Sequence, residues 1–209
     1  MILTRDFVHL HVPKTGGSFF THLVENYAPP EWEAKVIRHH PDADMIPDTH
    51  RHLPIWGMVR SPWSFYVSWY HFALQTWQDW PFLQKVSAGG TLGFKETIVN
   101  VQESDEVKQA GFGGYTMQLV HIYKDRIDET RFVRMEHLRT EMRAVLEELC
   151  ELPPAMSEAI DSMPKVNVGR HSGKTVDYYD DELEQLIWER DRPVFEKFGY
   201  GRLADEHGS

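Results

Sequence analysis

The sequence predicts an α/β protein: a single domain with a central parallel sheet flanked by helices. Three observations carry that expectation. Residues 7–12 and 54–59 are short, mostly apolar runs bounded by turn residues, the length and composition of buried parallel strands. Each is followed by a turn signal and then by apolar residues at helical spacing. Strand-like and helix-like segments alternate further along the chain, as βαβ units require.

In chain order, Val8, Leu10 and Val12 share one face of the first strand, and Pro13 ends it. Gly16, Gly17 and Ser18 make a tight turn, and residues 19–26 read as a helix. Residues 34–38 form a short second strand, and residues 54–59 a buried third. Ser61 at the cap and Pro62 in the first turn open a helix on which Trp63, Tyr66, Val67, Tyr70, Leu74 and Trp77 recur at helical spacing. Residues 94–101 and 115–123 are helical, separated by a break at Gly111, Gly113 and Gly114. Residues 131–135 are a strand and 136–150 a helix that Pro153 and Pro154 close. Residues 166–175 are a polar loop. Asp180 and Asp181 cap a last helix, which Pro193 kinks or splits. No repeat or linker interrupts this pattern, so residues 1–203 are expected to form one domain, with residues 204–209 as a tail.

Composition narrows the function. The chain has 209 residues, 41% of them hydrophobic and 12% aromatic, enough to bury a sizeable core. No apolar run approaches bilayer length, and no charged-then-apolar leader precedes the first strand. One cysteine, Cys150, allows no internal disulfide and no multi-cysteine metal site, and points to a cytoplasmic protein. A net charge of −10 opposes nucleic-acid binding and a highly anionic polysaccharide acceptor. A single anionic nucleotide needs only a local positive pocket.

Val12, Pro13, Lys14, Thr15, Gly16, Gly17 and Ser18 stand between a strand and a helix, where α/β folds bind phosphate. Glycines let the backbone approach the anion, and the amides and dipole of the helix N-terminus favour negative charge. Lys14 adds a point charge, and Thr15 and Ser18 add hydroxyls. A nucleoside triphosphatase loop requires Lys after the last Gly, followed by Ser or Thr for magnesium. Here Lys14 precedes both glycines, and the dinucleotide fingerprint is absent as well. A second motif runs from Met58 through Arg60, Pro62 and Ser68: an Arg at the end of a strand and a Ser eight residues later on the following helix. A guanidinium offers forked donors to phosphate, and the hydroxyl offers one more.

Together the two motifs resemble the PAPS-dependent sulfotransferases, closest to the branch of carbohydrate sulfotransferases and their bacterial relatives. In that family the first loop holds the 5′-phosphosulfate and the second motif the 3′-phosphate of 3′-phosphoadenosine 5′-phosphosulfate (PAPS). The resemblance implies cofactor binding by Lys14, Thr15, Gly16, Gly17, Ser18 and Phe19 on the 5′ side and by Arg60 and Ser68 on the 3′ side. Arg170 and Lys174 lie at the place of the family's late nucleotide-covering loop. Phe132 to Leu138 resembles a strand-to-helix segment of the family, and Phe198, Gly199 and Tyr200 its usual C-terminal end. Residues 77–131 match nothing and are where acceptor specificity is expected.

The implied reaction moves a sulfuryl group to an acceptor hydroxyl or amine of a carbohydrate or small molecule, leaving adenosine 3′,5′-bisphosphate. Lys14 would neutralise the leaving oxygen, and a histidine would take the acceptor proton. The family places that histidine just after the second strand, so His40 is the first choice and His39 the second. His50 and His52 are the remaining candidates. His39, His40, Asp42, Asp44, His50 and His52 also raise a metal site, but they stand in a segment with Pro41 and Pro47 that lacks helical or paired-strand spacing. No metal is expected. The rival readings are an ATP-dependent phosphotransferase and a non-catalytic nucleotide-binding module on the same fold.

Overall fold

The computed structural model describes residues 1–37, 41–76, 78–109, 113–164 and 173–205. In chain order the elements are β1 (Ile2–Leu3), β2 (Val8–Leu10), α1 (Gly17–Tyr27), β3 (Lys35–Val36), β4 (Ile55–Val59), α2 (Pro62–Thr76), α3 (Pro81–Val86), α4 (Phe94–Glu103), α5 (Asp105–Gln109), α6 (Tyr115–Tyr123), β5 (Arg131–Arg134), α7 (Leu138–Leu149), α8 (Pro154–Ser162), α9 (Asp181–Arg190) and α10 (Arg192–Phe198). They cluster into two compact units, Met1–Arg60 with Leu119–Val168, and Ser61–Gln118 with Gly169–Ser209.

The first unit holds one sheet in the order β3-β1-β2-β4-β5. Its centre is parallel, as the alternation of strands and helices predicts: β2 pairs with β4, and β4 with β5. The edge is different. β1 runs antiparallel to both β2 and β3, so the sheet is mixed. A strand of two residues has no period to read, which is why Ile2 and Leu3 escape a pattern search. The central strands are buried on both faces, so His9 is in the core along with Val8 and Leu10. Phe7, Phe20, Leu23, Trp32, Trp56, Met58, Met142, Leu146 and Ile160 fill that core. Each fully buried large apolar side chain contributes about 1.5–3 kcal/mol. The two prolines read as the end of a helix act differently. α7 ends at Leu149 with Cys150 as its cap, and Pro154 opens α8, where its missing N–H costs nothing.

The second unit is helical. α2 is buried on most of its surface, through Trp63, Phe65, Tyr66, Val67, Trp69 and Ala73. The Phe65 and Tyr115 rings stack at 4.0 Å, and Trp63 packs against Phe195 at 4.9 Å. The last helix divides as Pro193 requires, at Asp191 between α9 and α10, and Asp180 caps α9 by accepting from the Leu183 N–H. Trp56, Trp63 and Trp69 are core residues. Trp77 lies outside the described residues.

Candidate functional site

The loop between β2 and α1 is built as an anion cradle. Lys14 and Gly16 both take left-handed backbone conformations, φ 67° and 99°. Gly16 adopts this freely. For Lys14 it is a strained conformation of the kind that persists where the surroundings enforce it, at about 1–3 kcal/mol. Gly16 is the N-cap of α1, no side chain caps that helix, and no acidic residue stands in its first turn. The N-terminal amides of an 11-residue helix therefore meet no competing carboxylate from their own turn.

Close packing dictates Gly17, and the left-handed backbone favours glycine at Gly16. A Cβ on Gly17 would stand 2.1 Å from the His11 ring, a separation real atoms do not adopt. Around Gly16, Met58 Sδ, Met135 Cγ and Leu138 Cδ2 lie 3.5–3.7 Å from where a Cβ would be, so the β5-to-α7 segment floors the loop. Thr15 is fully buried, and its hydroxyl donates to the Val12 carbonyl at 2.9 Å. That bond pins the loop and commits the hydroxyl to the backbone. Phe19 is likewise buried under the Arg139 guanidinium, 5.1 Å from its ring, and its N–H bonds to the Gly16 carbonyl. Ser18 is half-buried in the first turn of α1.

Two cations meet at this loop. Arg60, just after β4, donates through Nη1 to the Lys14 carbonyl at 3.3 Å. Desolvation first, and the Arg60 charge second, lower the Lys14 ammonium to about 8. The structure thus joins residues 46 positions apart that were read from separate motifs. Behind the loop, His9 packs 4.2 Å from the Trp56 ring and 4.9 Å from Phe20, with the His11 ring stacked at 6.4 Å. Burial and His11 hold its pKa well below the ordinary histidine value, offset in part by the Trp56 backbone, so His9 is a neutral core residue.

The other expected ligands belong to the second unit. Ser68 is half-buried on α2, in a stripe with Ser64, His71 and Phe72 at helical spacing. Lys174 is exposed, and its N–H bonds to Asp177 Oδ2 at 2.8 Å. Arg170, His39 and His40 lie outside the described residues. His50 sits on a short 3-10 turn, its Nδ1 2.8 Å from the Thr49 hydroxyl. Among the described residues, no three His, Cys, Asp or Glu side chains converge as metal ligands, and no helix is long and apolar enough to cross a membrane.

No family model and no curated protein matches the chain. Among solved structures, mouse sulfotransferase SULT7A1 complexed with PAP is similar over 93% of this chain and 88% of that one, with a TM-score of 0.55 and 14% sequence identity. The chain has the sulfotransferase fold.

Some residues that shape this sulfotransferase-fold loop are invisible to motif reading. Tyr123, at the end of α6, is fully buried and donates to the Leu10 carbonyl at 3.1 Å, bracing the strand end that feeds the loop. A Cβ on Gly57 would fall 1.8 Å from its hydroxyl. Glycine inside a buried strand signals such a close approach, and Gly57 was the clue available in the sequence.

Proposed function

We propose that the protein is a sulfotransferase that carries a sulfuryl group from PAPS to a hydroxyl or amine of a carbohydrate or small molecule. The observation that carries this reading is the strained, uncapped loop at the start of α1 with Lys14 and Arg60 side by side, on a sulfotransferase fold. A loose, in-line sulfuryl transfer leaves little covalent chemistry to the protein, so catalysis is positioning and charge stabilisation. Lys14 and the loop residues Thr15, Gly16, Gly17, Ser18 and Phe19 cradle the 5′-phosphosulfate. Arg60 and Ser68 hold the 3′-phosphate, and Arg170 and Lys174 contribute to the nucleotide phosphates. Lys14 neutralises charge growing on the leaving oxygen, and His40 takes the acceptor proton, with His39 the second candidate. The motif order supports the carbohydrate-sulfotransferase branch. A cytoplasmic location fits the lone cysteine, whose thiol burial pushes up to about 12 and so keeps unreactive.

Calorimetry tests the reading. Adenosine 3′,5′-bisphosphate is expected to bind at least tenfold more tightly than adenosine 5′-monophosphate, the equivalent of one charge-assisted hydrogen bond to the 3′-phosphate. ATP with magnesium is expected to bind poorly. Equal affinities for the two adenosine nucleotides would remove the 3′-phosphate assignment, and tighter binding of ATP with magnesium would favour a phosphotransferase.

A further inference from the structure

Within the second unit, a short 3-10 turn, Thr175–Tyr178, packs against α2 and is fastened to it at two points. The Tyr178 hydroxyl meets His71 Nε2 at 2.8 Å, and the Tyr179 hydroxyl donates to the Trp63 carbonyl at 2.7 Å. Trp63 and His71 are eight residues apart, about 12 Å along a helix. The stretch between them contains Ser64 and Ser68. The rings reinforce both fastenings. Tyr178 meets His71 edge-on at 5.4 Å and Phe94 at 5.2 Å, while Tyr179 meets Trp63 at 5.4 Å and Phe94 at 5.4 Å. Lys174 directly precedes the turn, its backbone locked at both ends. Its N–H bonds to Asp177 Oδ2, and its carbonyl accepts from the Asp177 N–H at 3.0 Å.

We infer that His71 and Tyr178 are positioning residues: their hydrogen bond clasps the Lys174-bearing turn to the helix that carries Ser68, and so preorganises a phosphomonoester site made of the Ser68 hydroxyl and the Lys174 ammonium. This rests on the nucleotide reading above and names a device within it. A flexible lysine alone offers an anion a strongly hydrated point charge, and ordering its segment costs conformational entropy at each binding event. A turn already fastened to α2 has met most of that cost on folding, which is how preorganisation raises affinity. Trp63 and Tyr179 hold one end of the strap through a backbone carbonyl. The His71–Tyr178 contact is between two side chains, so it can be removed without touching the helix backbone.

The test measures calorimetric binding of adenosine 3′,5′-bisphosphate and of adenosine 5′-monophosphate to the full chain and four variants. Tyr178→Phe is expected to weaken the bisphosphate by about threefold to tenfold, the scale of one hydrogen bond, and to leave the monophosphate unchanged. His71→Gln, whose carboxamide reaches the position of Nε2, is expected to retain most of the affinity. Lys174→Ala should weaken the bisphosphate in the wild-type background and add little in the Tyr178→Phe background, because the clasp acts through Lys174. Unchanged bisphosphate binding in Tyr178→Phe overturns the inference. So does equal loss of both nucleotides, which marks general loosening, or full additivity with Lys174→Ala. A wild-type protein with no preference for the bisphosphate fails at the earlier step, the nucleotide reading itself.

Discussion

Lys14→Ala is expected to lower single-turnover sulfuryl transfer at saturating PAPS by about 10²–10³-fold, the cost of removing one preorganised donor from a developing oxyanion. On the proposed mechanism the charge Lys14 meets is larger in the transition state than in bound PAPS, so the loss falls on the chemical step as well as on affinity. Arg60→Ala, which removes the guanidinium proposed for the 3′-phosphate, should act mainly on binding, and that contrast separates the two roles. The pH dependence has a definite sign. Lys14 in the free protein loses its proton at about 8, lowered by burial and by Arg60. The cationic, active form is therefore present below pH 8 and lost as pH rises through that value, so kcat/KM for PAPS should fall on the alkaline side. A bound anion favours the ammonium, which moves the same limb of kcat to higher pH. Unchanged single-turnover rates in Lys14→Ala, or an alkaline limb surviving in it, would exclude the catalytic role.

Asp191→Ala should cost about 3–5 kcal/mol of stability, measured by urea unfolding. Asp191 and Tyr66 are both buried. Tyr66 Oη donates to Asp191 Oδ2 at 2.5 Å and itself accepts from Gln102 Nε2 at 2.6 Å and from the Tyr115 N–H at 2.8 Å. Asp191 Oδ1 accepts the Thr116 N–H at 2.7 Å. Four chain segments thus meet at one carboxylate, and truncating it strands buried donors at about 1–3 kcal/mol each. Tyr66→Phe and the double variant complete a cycle in which the losses should be clearly less than additive. Burial outweighs the hydrogen bonds from Tyr66 and Thr116 and raises the Asp191 carboxyl above its usual range. The folded state then binds this proton more readily than the unfolded chain does, so Asp191 favours folding most at low pH, and that contribution declines as pH rises toward its folded pKa. The stability gap between wild type and Asp191→Asn should accordingly narrow with rising pH. A fully additive cycle would show that these residues do not form one network.

Much of this fold is written at short range in the chain. Alternation and helical spacing show at separations of two to four residues, so the central strands, α2, α6 and the α9–α10 break were legible in order. The Lys14–Gly16–Gly17 turn was legible for the same reason: a cation and two glycines between a strand and a helix state their chemistry locally. Tertiary structure alone decided the rest. The antiparallel strand β1 exists because Ile2 and Leu3 find partners on both sides, and Pro154 starts a helix because its apolar face has α1 and α7 to pack on. Only folding shows that the Thr15 hydroxyl is spent on Val12, that His9 is a core residue, and that Arg60 touches Lys14. The pairs Tyr66–Asp191, Tyr123–Leu10 and His71–Tyr178 are 125, 113 and 107 residues apart. A hydrogen bond across such a distance leaves no period in the chain, because each partner's local pattern is satisfied whether or not the other is there.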